Sequence, residues 1–378
     1  MRRLLRLLLP WPVVSTLAAC QSPPDSADGV ATPDTPLGRA LGEARADAAL
    51  PAIGGVRVTA GGDIEAHAFG VRRVASAERV EESDHFHLGS NAKAVTATVL
   101  AVLVEAGTLS WDRTLGESFP DLAGTMAPAW RTVTLRQLLT HRAGVAPYTS
   151  AEEILALPAN IGAGEPSEQR SAFARWLLQR PPSGQVGQFD YSNAGYALAA
   201  VVAERATGRP WEALLRDRLL TPLGIPAEAV RVGWPALAGA APWGHVRERR
   251  RWMPHAPTDG RILAIPPALA PAGDLSFTMA AYGRFLLLHL CGLAGQDDVL
   301  RASTIRALHE PSGDYALGWA IQREGSSAVH FHEGSAGTFH AVTLLDPHRG
   351  IAVASVTNAG DERAADAIRD AADVVLRR

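Results

Sequence analysis

Ser90 and Lys93 stand three residues apart in the stretch Phe86-His87-Leu88-Gly89-Ser90-Asn91-Ala92-Lys93. The run that follows, Ala94 to Gly107, is apolar and rich in Ala, Val and Leu, a pattern that predicts a buried helix. Residues i and i+3 share a helix face, so the Lys93 amine would lie beside the Ser90 hydroxyl. A serine hydroxyl is a weak nucleophile until a neighbouring base takes its proton. A buried lysine can lose its own proton and become that base. The unpaired N–H groups at a helix start can also bind a developing oxyanion. Lys93 is the only lysine in the chain; every other member of the 36 basic residues is arginine. Arginine cannot be deprotonated in a protein. An amine therefore stands where a guanidinium could not act as a base.

Two further stretches carry residues suited to the same chemistry. In Gly187-Gln188-Phe189-Asp190-Tyr191-Ser192-Asn193, Tyr191 and Asn193 follow a Pro/Gly-rich loop and precede a helix expected from Ala197 to Thr207. A tyrosine there can shuttle a proton if a nearby lysine influences its phenol. Asn193 can donate an amide hydrogen bond to a substrate carbonyl. Taken alone, the two read as a packing tyrosine and a helix cap. In His330-Phe331-His332-Glu333-Gly334-Ser335-Ala336-Gly337, glycines on a strand edge would let a substrate approach the backbone closely, and the N–H groups there could complete an oxyanion site. Other polar residues read as structural. His141 sits at a helix end before Gly144, where capping or packing is expected. His85 and His87 flank Phe86 with strand alternation, without further ligands at metal spacing. No metal and no cofactor is called for.

These residues need a scaffold. Leu37 to Ala49 predicts a short amphipathic helix. Gly55–Ala60 and Ile64–Val71 predict two strands around a Gly61-Gly62-Asp63 turn. From Ser90 to about Leu290 the pattern is mainly helical. It includes a helix with a Thr134 start and a Gly144 stop. Strand-like runs follow at Ala316–Gln322, Thr338–Leu345 and Ile351–Thr357, then a helix over Asp361–Leu376. The Arg247–Arg251 segment reads as a solvated hairpin tip near the cleft rather than a nucleic-acid patch. Cys291 follows an apolar run and reads as a buried core thiol.

Ser90-x-x-Lys93, Tyr191-x-Asn193 and His332-x-Gly334, in that order, resemble the three motifs of the serine β-lactamase/penicillin-recognising superfamily. The branch they look like is the one holding class C β-lactamases, D-alanyl-D-alanine carboxypeptidases and family VIII esterases. The likeness extends over Leu135–Gly144, Asp190–Gly208, Pro271–Leu275, Tyr315–Trp319 and Ile351–Asn358. The resemblance implies an α/β (α+β) fold: an antiparallel sheet flanked by helices, built from both chain ends (37–88 and 315–378), plus a mostly helical inserted region over 90–312. It implies that Ser90 is acylated and that Lys93 and Tyr191 form its base pair. Asn193 would hold a substrate amide or ester group. The N–H groups of Ser90 and Ser335 would form the oxyanion hole beside Gly334. His332 stands where β-lactamases and carboxypeptidases usually carry lysine, which removes a permanent charge and suits uncharged esters. An unperturbed histidine would regain that charge toward about pH 6 and could offer substrate one hydrogen bond. Ala92 replaces the usual Ser or Thr before the motif lysine, and no glutamate matches the class A deacylation route. The expected activity is a Ser-Lys-Tyr serine hydrolase acting on an ester or amide of a small molecule or peptide, with a lean to esters. A β-lactamase, D-Ala-D-Ala carboxypeptidase or D-aminopeptidase is the alternative within that mechanism. A non-catalytic β-lactam- or peptidoglycan-binding protein is the alternative outside it.

The ends and composition place the domain. Arg2, Arg3 and Arg6 precede a mostly apolar Leu7–Ala18, and Leu17-Ala18-Ala19-Cys20 resembles a bacterial lipobox. Residues 1–20 read as a lipoprotein signal peptide with Cys20 the lipidated residue, 21–36 as a polar flexible tether, and 37–378 as the hydrolase domain. The expected location is the bacterial envelope, facing the periplasm. Gln21 in place of an inner-membrane-retaining aspartate points to the outer membrane. With Cys20 lipidated, Cys291 has no disulfide partner. A net charge of −3 gives no reason to expect nucleic acid. A buried acyl chain supplies ~0.8 kcal/mol per CH₂ of membrane affinity. Cys20→Ser should therefore release the protein from the membrane fraction or block its maturation. Unchanged membrane fractionation would remove the lipobox reading.

Overall fold

The computed structural model describes residues 33–378, apart from 163, 234–240, 257–264 and 326. Cys20, the 1–20 leader and residues 21–32 of the tether lie outside the described residues. In chain order the strands are β1 Ala52–Thr59, β2 Ile64–Gly70, β3 Phe86–His87, β4 Val230–Val232, β5 Gly244–Glu248, β6 Arg251–His255, β7 Leu275–Phe277, β8 Ala320–Glu324, β9 Ser327–Ser335, β10 His340–Asp346 and β11 Ile351–Thr357. The helices used below are α1 Pro36–Ala48, α2 Ala92–Glu105, α3 Leu135–Leu139, α4 Pro166–Leu178, α5 Asn193–Thr207, α6 Met279–Leu293 and α7 Glu362–Arg377.

The last strand pairs with the first. The main sheet runs β2-β1-β11-β10-β9-β8, antiparallel throughout, so both chain ends build it. Side chains of a strand point alternately to opposite faces. In β11, Ile351 and Val353 join Leu41, Ile368 and Val375 of the terminal helices. Ala352, Ala354 and Val356 face the other way, into the cluster that holds α6 and α2. With both faces covered, the strand is apolar along its whole length, which is why Ile351–Thr357 was readable. The termini of the helices also follow the sequence. Pro36 opens α1 behind a Thr35 cap, Thr134 and Gln137 close a reciprocal cap on α3, and Asp361 caps α7.

Three expectations shift. The strand expected from Ala316 begins at Ala320, because residues 312–319 turn back on themselves, with Ala316 N–H bonded to Trp319 O at 2.7 Å. Of the His330–Gly337 stretch, expected between strands, His330 to Ser335 form the end of β9. The inserted region, expected to be mostly helical, also supplies β4 and β7 to the small sheet β3-β7-β4 and carries the hairpin β5-β6, whose two-residue tip is Arg249-Arg250 with φ of 45° and 70°. That hairpin packs on Ala49 and Asn358, with Trp252 Nε1 donating to Ala49 O.

Two buried polar networks fix the helices that deliver the site. Thr98 on α2 donates its hydroxyl hydrogen to Ala94 O at 2.7 Å. His289 Nε2–H must therefore donate to Thr98 Oγ1, at 3.1 Å. His289 Nδ1 then accepts from His309 Nε2–H at 2.9 Å, and His309 Nδ1 accepts from His330 Nδ1–H at 2.7 Å. This thread of neutral rings joins α2, α6 and β9. Burial drives His289 down to about 3 and His330 to about 4, and holds His309 well below the ordinary imidazole range.

The second network centres on Arg170 of α4, which is fully buried. Its guanidinium bonds Glu204 of α5 at 2.6 Å and Glu212 at 2.7 Å. Removing one partner of a buried ion pair typically costs about 3–5 kcal/mol, because the remaining charge is left dry and unpaired. Arg170→Met should lower unfolding stability by about that amount, measured as the urea midpoint at constant m. A loss below about 1 kcal/mol would mean that the two glutamates are held by water instead.

Candidate active site

Ser90 lies in a single 3₁₀ turn, Gly89–Asn91, that leads directly into α2. The turn is pressed against the end of β9. Strand β8 stops opposite Phe331, so residues 332–335 present a free edge on that side. Close approach there requires glycine twice. Gly89 has φ of +52°, and a Cβ on it would meet Ser335 N at 2.5 Å. A Cβ on Gly334 would meet Leu88 O at 2.1 Å and Ser90 N at 2.8 Å. Gly334 is thus a spacing residue. It brings the backbone nitrogens of Ser90 and Ser335 to the same small volume, which is the arrangement an oxyanion requires. The Ser335 side chain turns to its own loop and accepts from Gly337 N–H at 3.2 Å.

Lys93, one turn on, is fully buried. Its Nζ lies 3.1 Å from Ser90 Oγ, 2.7 Å from Asn193 Oδ1 and 2.7 Å from Ala272 O. The amine also sits 4.7 Å from the centre of the Tyr191 ring and 5.5 Å from that of Tyr196. Burial pushes the Lys93 amine well below the ordinary lysine range. A neutral amine has two hydrogens and one lone pair. The two carbonyl oxygens accept the hydrogens, and the lone pair is left for the Ser90 hydroxyl. After proton transfer, the third hydrogen would point back to Ser90 Oγ. The same three partners therefore fit both protonation states.

Tyr191 is half-buried by surface area and its phenol hydrogen-bonds Ser90; desolvation raises it above the ordinary phenol range, so it is protonated. Asn193 begins α5. One N–H of Nδ2 is committed to Tyr148 O at 2.8 Å while Oδ1 takes the lysine, so Asn193 orients Lys93. This lysine contact differs from both the substrate contact and the helix cap expected from its sequence position.

His332 departs from its expected behaviour. Its Nδ1–H donates to Glu333 O at 2.8 Å. Nε2 is then an acceptor, and Tyr315 Oη donates to it at 3.0 Å. Both ring nitrogens are occupied. Burial lowers the ring to about 3. The donor expected for substrate and the charge change expected toward about pH 6 are both absent from this geometry.

Seven residues singled out in the sequence, Ser90, Lys93, Tyr191, Asn193, His332, Gly334 and Ser335, thus come together around one hydroxyl. Cys20 lies outside the described residues. Ala272 O and Tyr315 were not anticipated. The first is a backbone atom with no side-chain signal, and the second stands 17 residues before its histidine with β8 and a turn between. Among the described residues no cluster of His, Cys, Asp or Glu is arranged to hold a metal.

A family model described as Beta-lactamase matches residues 41–376. The chain is 28% identical over 314 residues to "Penicillin-binding protein 4" of Amycolatopsis lactamdurans, covering 79% of this chain and 78% of that one. It is 28% identical over 173 residues to "Lovastatin esterase" of Penicillium rubens, covering 42% of this chain and 43% of the esterase. In fold it is similar to the D-amino acid amidase from Ochrobactrum anthropi SV3, with a TM-score of 0.69 at 20% identity, covering 91% of this chain and 98% of the amidase. The serine and lysine at the head of a buried helix, the strand edge beside them and the family match over nearly the whole domain agree: the chain belongs to the beta-lactamase family of serine hydrolases.

Proposed function

We propose that this chain hydrolyses small uncharged esters through an acyl-enzyme on Ser90. The observation that carries the reading is electrostatic. Lys93 and His332, the basic side chains built into the site, are enclosed and spend their nitrogens on protein partners, and burial lowers both from their ordinary ranges. β-Lactams and D-Ala-D-Ala peptides carry a carboxylate near the scissile carbonyl, and a permanent cation there would attract it. An ester without that carboxylate loses nothing. The esterase named among the relatives supports the same reading, while the penicillin-binding relative supports a second one, acylation by penicillin.

In the proposed reaction the Ser90 proton moves to the Lys93 lone pair as Oγ bonds to the ester carbon. The carbonyl electrons move onto oxygen, facing the N–H groups of Ser90 and Ser335. As the alkoxide leaves, the Tyr191 phenol gives it a proton and takes one from Lys93. Water then repeats the sequence on the acyl-Ser90, releasing the acid and restoring the hydroxyl. The lipid anchor at Cys20 and the periplasm-facing envelope location belong to this proposal and rest on the leader sequence.

A hydrolysis panel tests it: p-nitrophenyl esters, a chromogenic cephalosporin and D-Ala-D-Ala peptides, each against Ser90→Ala. Turnover of the peptides or the cephalosporin above the esters would replace the ester reading. Lys93→Arg keeps a charge but cannot accept a proton, so it should lose at least ~10³-fold in kcat, within the span a positioned base supplies. Substantial turnover by Lys93→Arg would move the base elsewhere.

The state of His332 sets the selectivity. For a matched ester pair with and without a carboxylate, the kcat/KM ratio should favour the neutral ester and stay flat from about pH 6 to about pH 8, because a group lowered to about 3 does not titrate there. His332→Lys should move the ratio toward the carboxylate. A ratio that climbs for the carboxylate as pH falls would show that His332 is protonated in the working enzyme.

A further inference from the structure

Tyr191 is held from both sides by one residue. Its preceding neighbour, Asp190, donates its backbone N–H to His141 O at 2.7 Å. Its following neighbour, Ser192, donates its backbone N–H to His141 Nδ1 at 3.0 Å. The His141 ring lies against the Tyr191 ring at 4.3 Å between centroids, with Tyr315, the donor to His332, 4.7 Å away. His141 adopts φ of +58°, a conformation that non-glycine residues rarely take outside asparagine, aspartate and histidine.

A capping or packing histidine does not explain this arrangement. Because Nδ1 accepts the Ser192 N–H, the ring proton resides on Nε2, which is buried without a hydrogen-bond partner. An unsatisfied buried N–H is a cost that leucine or phenylalanine would avoid while filling the same space. What those residues lack is an acceptor at the Nδ1 position. Burial holds the ring well below the ordinary imidazole range, so that acceptor stays available.

We propose that His141 is a positioning residue for the tyrosine of the reaction: through its carbonyl and Nδ1 it fixes the backbone on both sides of Tyr191, and through its ring it fixes the plane of the phenol relative to Ser90. The inference rests on the proton-shuttle role given to Tyr191 above. A phenol displaced by about 1 Å would still leave the substrate site intact but would misplace the proton, a kind of error that can cost about 10²-fold.

The test is a double-mutant cycle on the full chain with a p-nitrophenyl ester, measuring kcat and KM separately. His141→Leu removes the acceptor and should lower kcat by about 10²-fold with KM within about threefold. His141→Asn carries an oxygen where Nδ1 stood and tolerates the positive φ, so it should recover kcat to within about tenfold of the parent. In a Tyr191→Phe background, where no phenol remains to be aimed, His141→Leu should cost less than about threefold further. The urea midpoint of each variant separates misfolding from mispositioning. If His141→Leu does not fold at that φ, the pair His141→Asn and His141→Gly replaces it, since both accept the backbone and only asparagine keeps an acceptor. A kcat unchanged in His141→Leu or His141→Gly, or equal losses with and without the phenol, would overturn the proposal. A mild Tyr191→Phe would overturn it too, and would do so through the shuttle role itself, which the Tyr191→Phe arm reports independently of any change at His141.

Discussion

The Lys93 amine is fully enclosed, and among the described residues it meets Ser90 Oγ, Asn193 Oδ1, Ala272 O and the faces of two tyrosines. An ammonium cut off from water is expensive, and the amine responds by giving up its charge. Much of the surrounding architecture maintains that enclosure. Helix α2 is buried on nearly every side, α5 brings Asn193, and the short helical turn Ala270–Gly273 before β7 brings Ala272 O. Asn193 is itself kept in place by Pro147 O and Tyr148 O, which hold its backbone N–H and its Nδ2 at 2.8 Å each. The dry lysine is therefore a property of four chain segments, all of which must be folded before it exists.

The same dryness extends to the other side of the hydroxyl. His332 spends both nitrogens inside the protein, and Tyr191 keeps its proton. The site is built from dipoles and neutral donors around Ser90. A pocket of that kind stabilises charge that appears during a reaction more than charge that arrives with the substrate. The strand edge at 332–335 contributes through its backbone, and Gly89 and Gly334 allow that backbone near enough to Ser90 to matter.

Much of this was legible in the sequence because it depends on residue type at short spacing. A lone lysine three residues after a serine, a Tyr-x-Asn before a helix and a glycine-rich run among strands all announce themselves locally. The apolar run of β11 and the capping residues Thr35, Thr134 and Asp361 did so for the fold. What stayed hidden depends on long-range placement. Ala272 reaches Lys93 through a carbonyl that every residue possesses. Tyr315 meets His332 only because residues 312–319 fold back before β8. His141 was read as a cap because its position at a helix end offered that role, whereas its ring nitrogen is used 51 residues away. The His289–His309–His330 thread draws on three separate segments with no common spacing.

That thread has a consequence for the molecule in acid. His289, His309, His330, His332 and His141 are all uncharged in the folded chain, with values of about 3 to about 4 where they are defined and far below normal elsewhere. In the unfolded chain each would take up a proton below about pH 6.5. The neutral folded forms therefore contribute stability that is fully present above that value and is lost as pH falls toward the folded ones, at about 1.4 kcal/mol per pH unit for each ring. With several rings acting together, acid unfolding becomes a steep, many-proton uptake reaction. An imidazolium at His289 or His309 would face a neighbouring ring nitrogen that already carries hydrogen. Acid therefore acts on the interior of the protein, by favouring the unfolded chain in which these rings can take up protons.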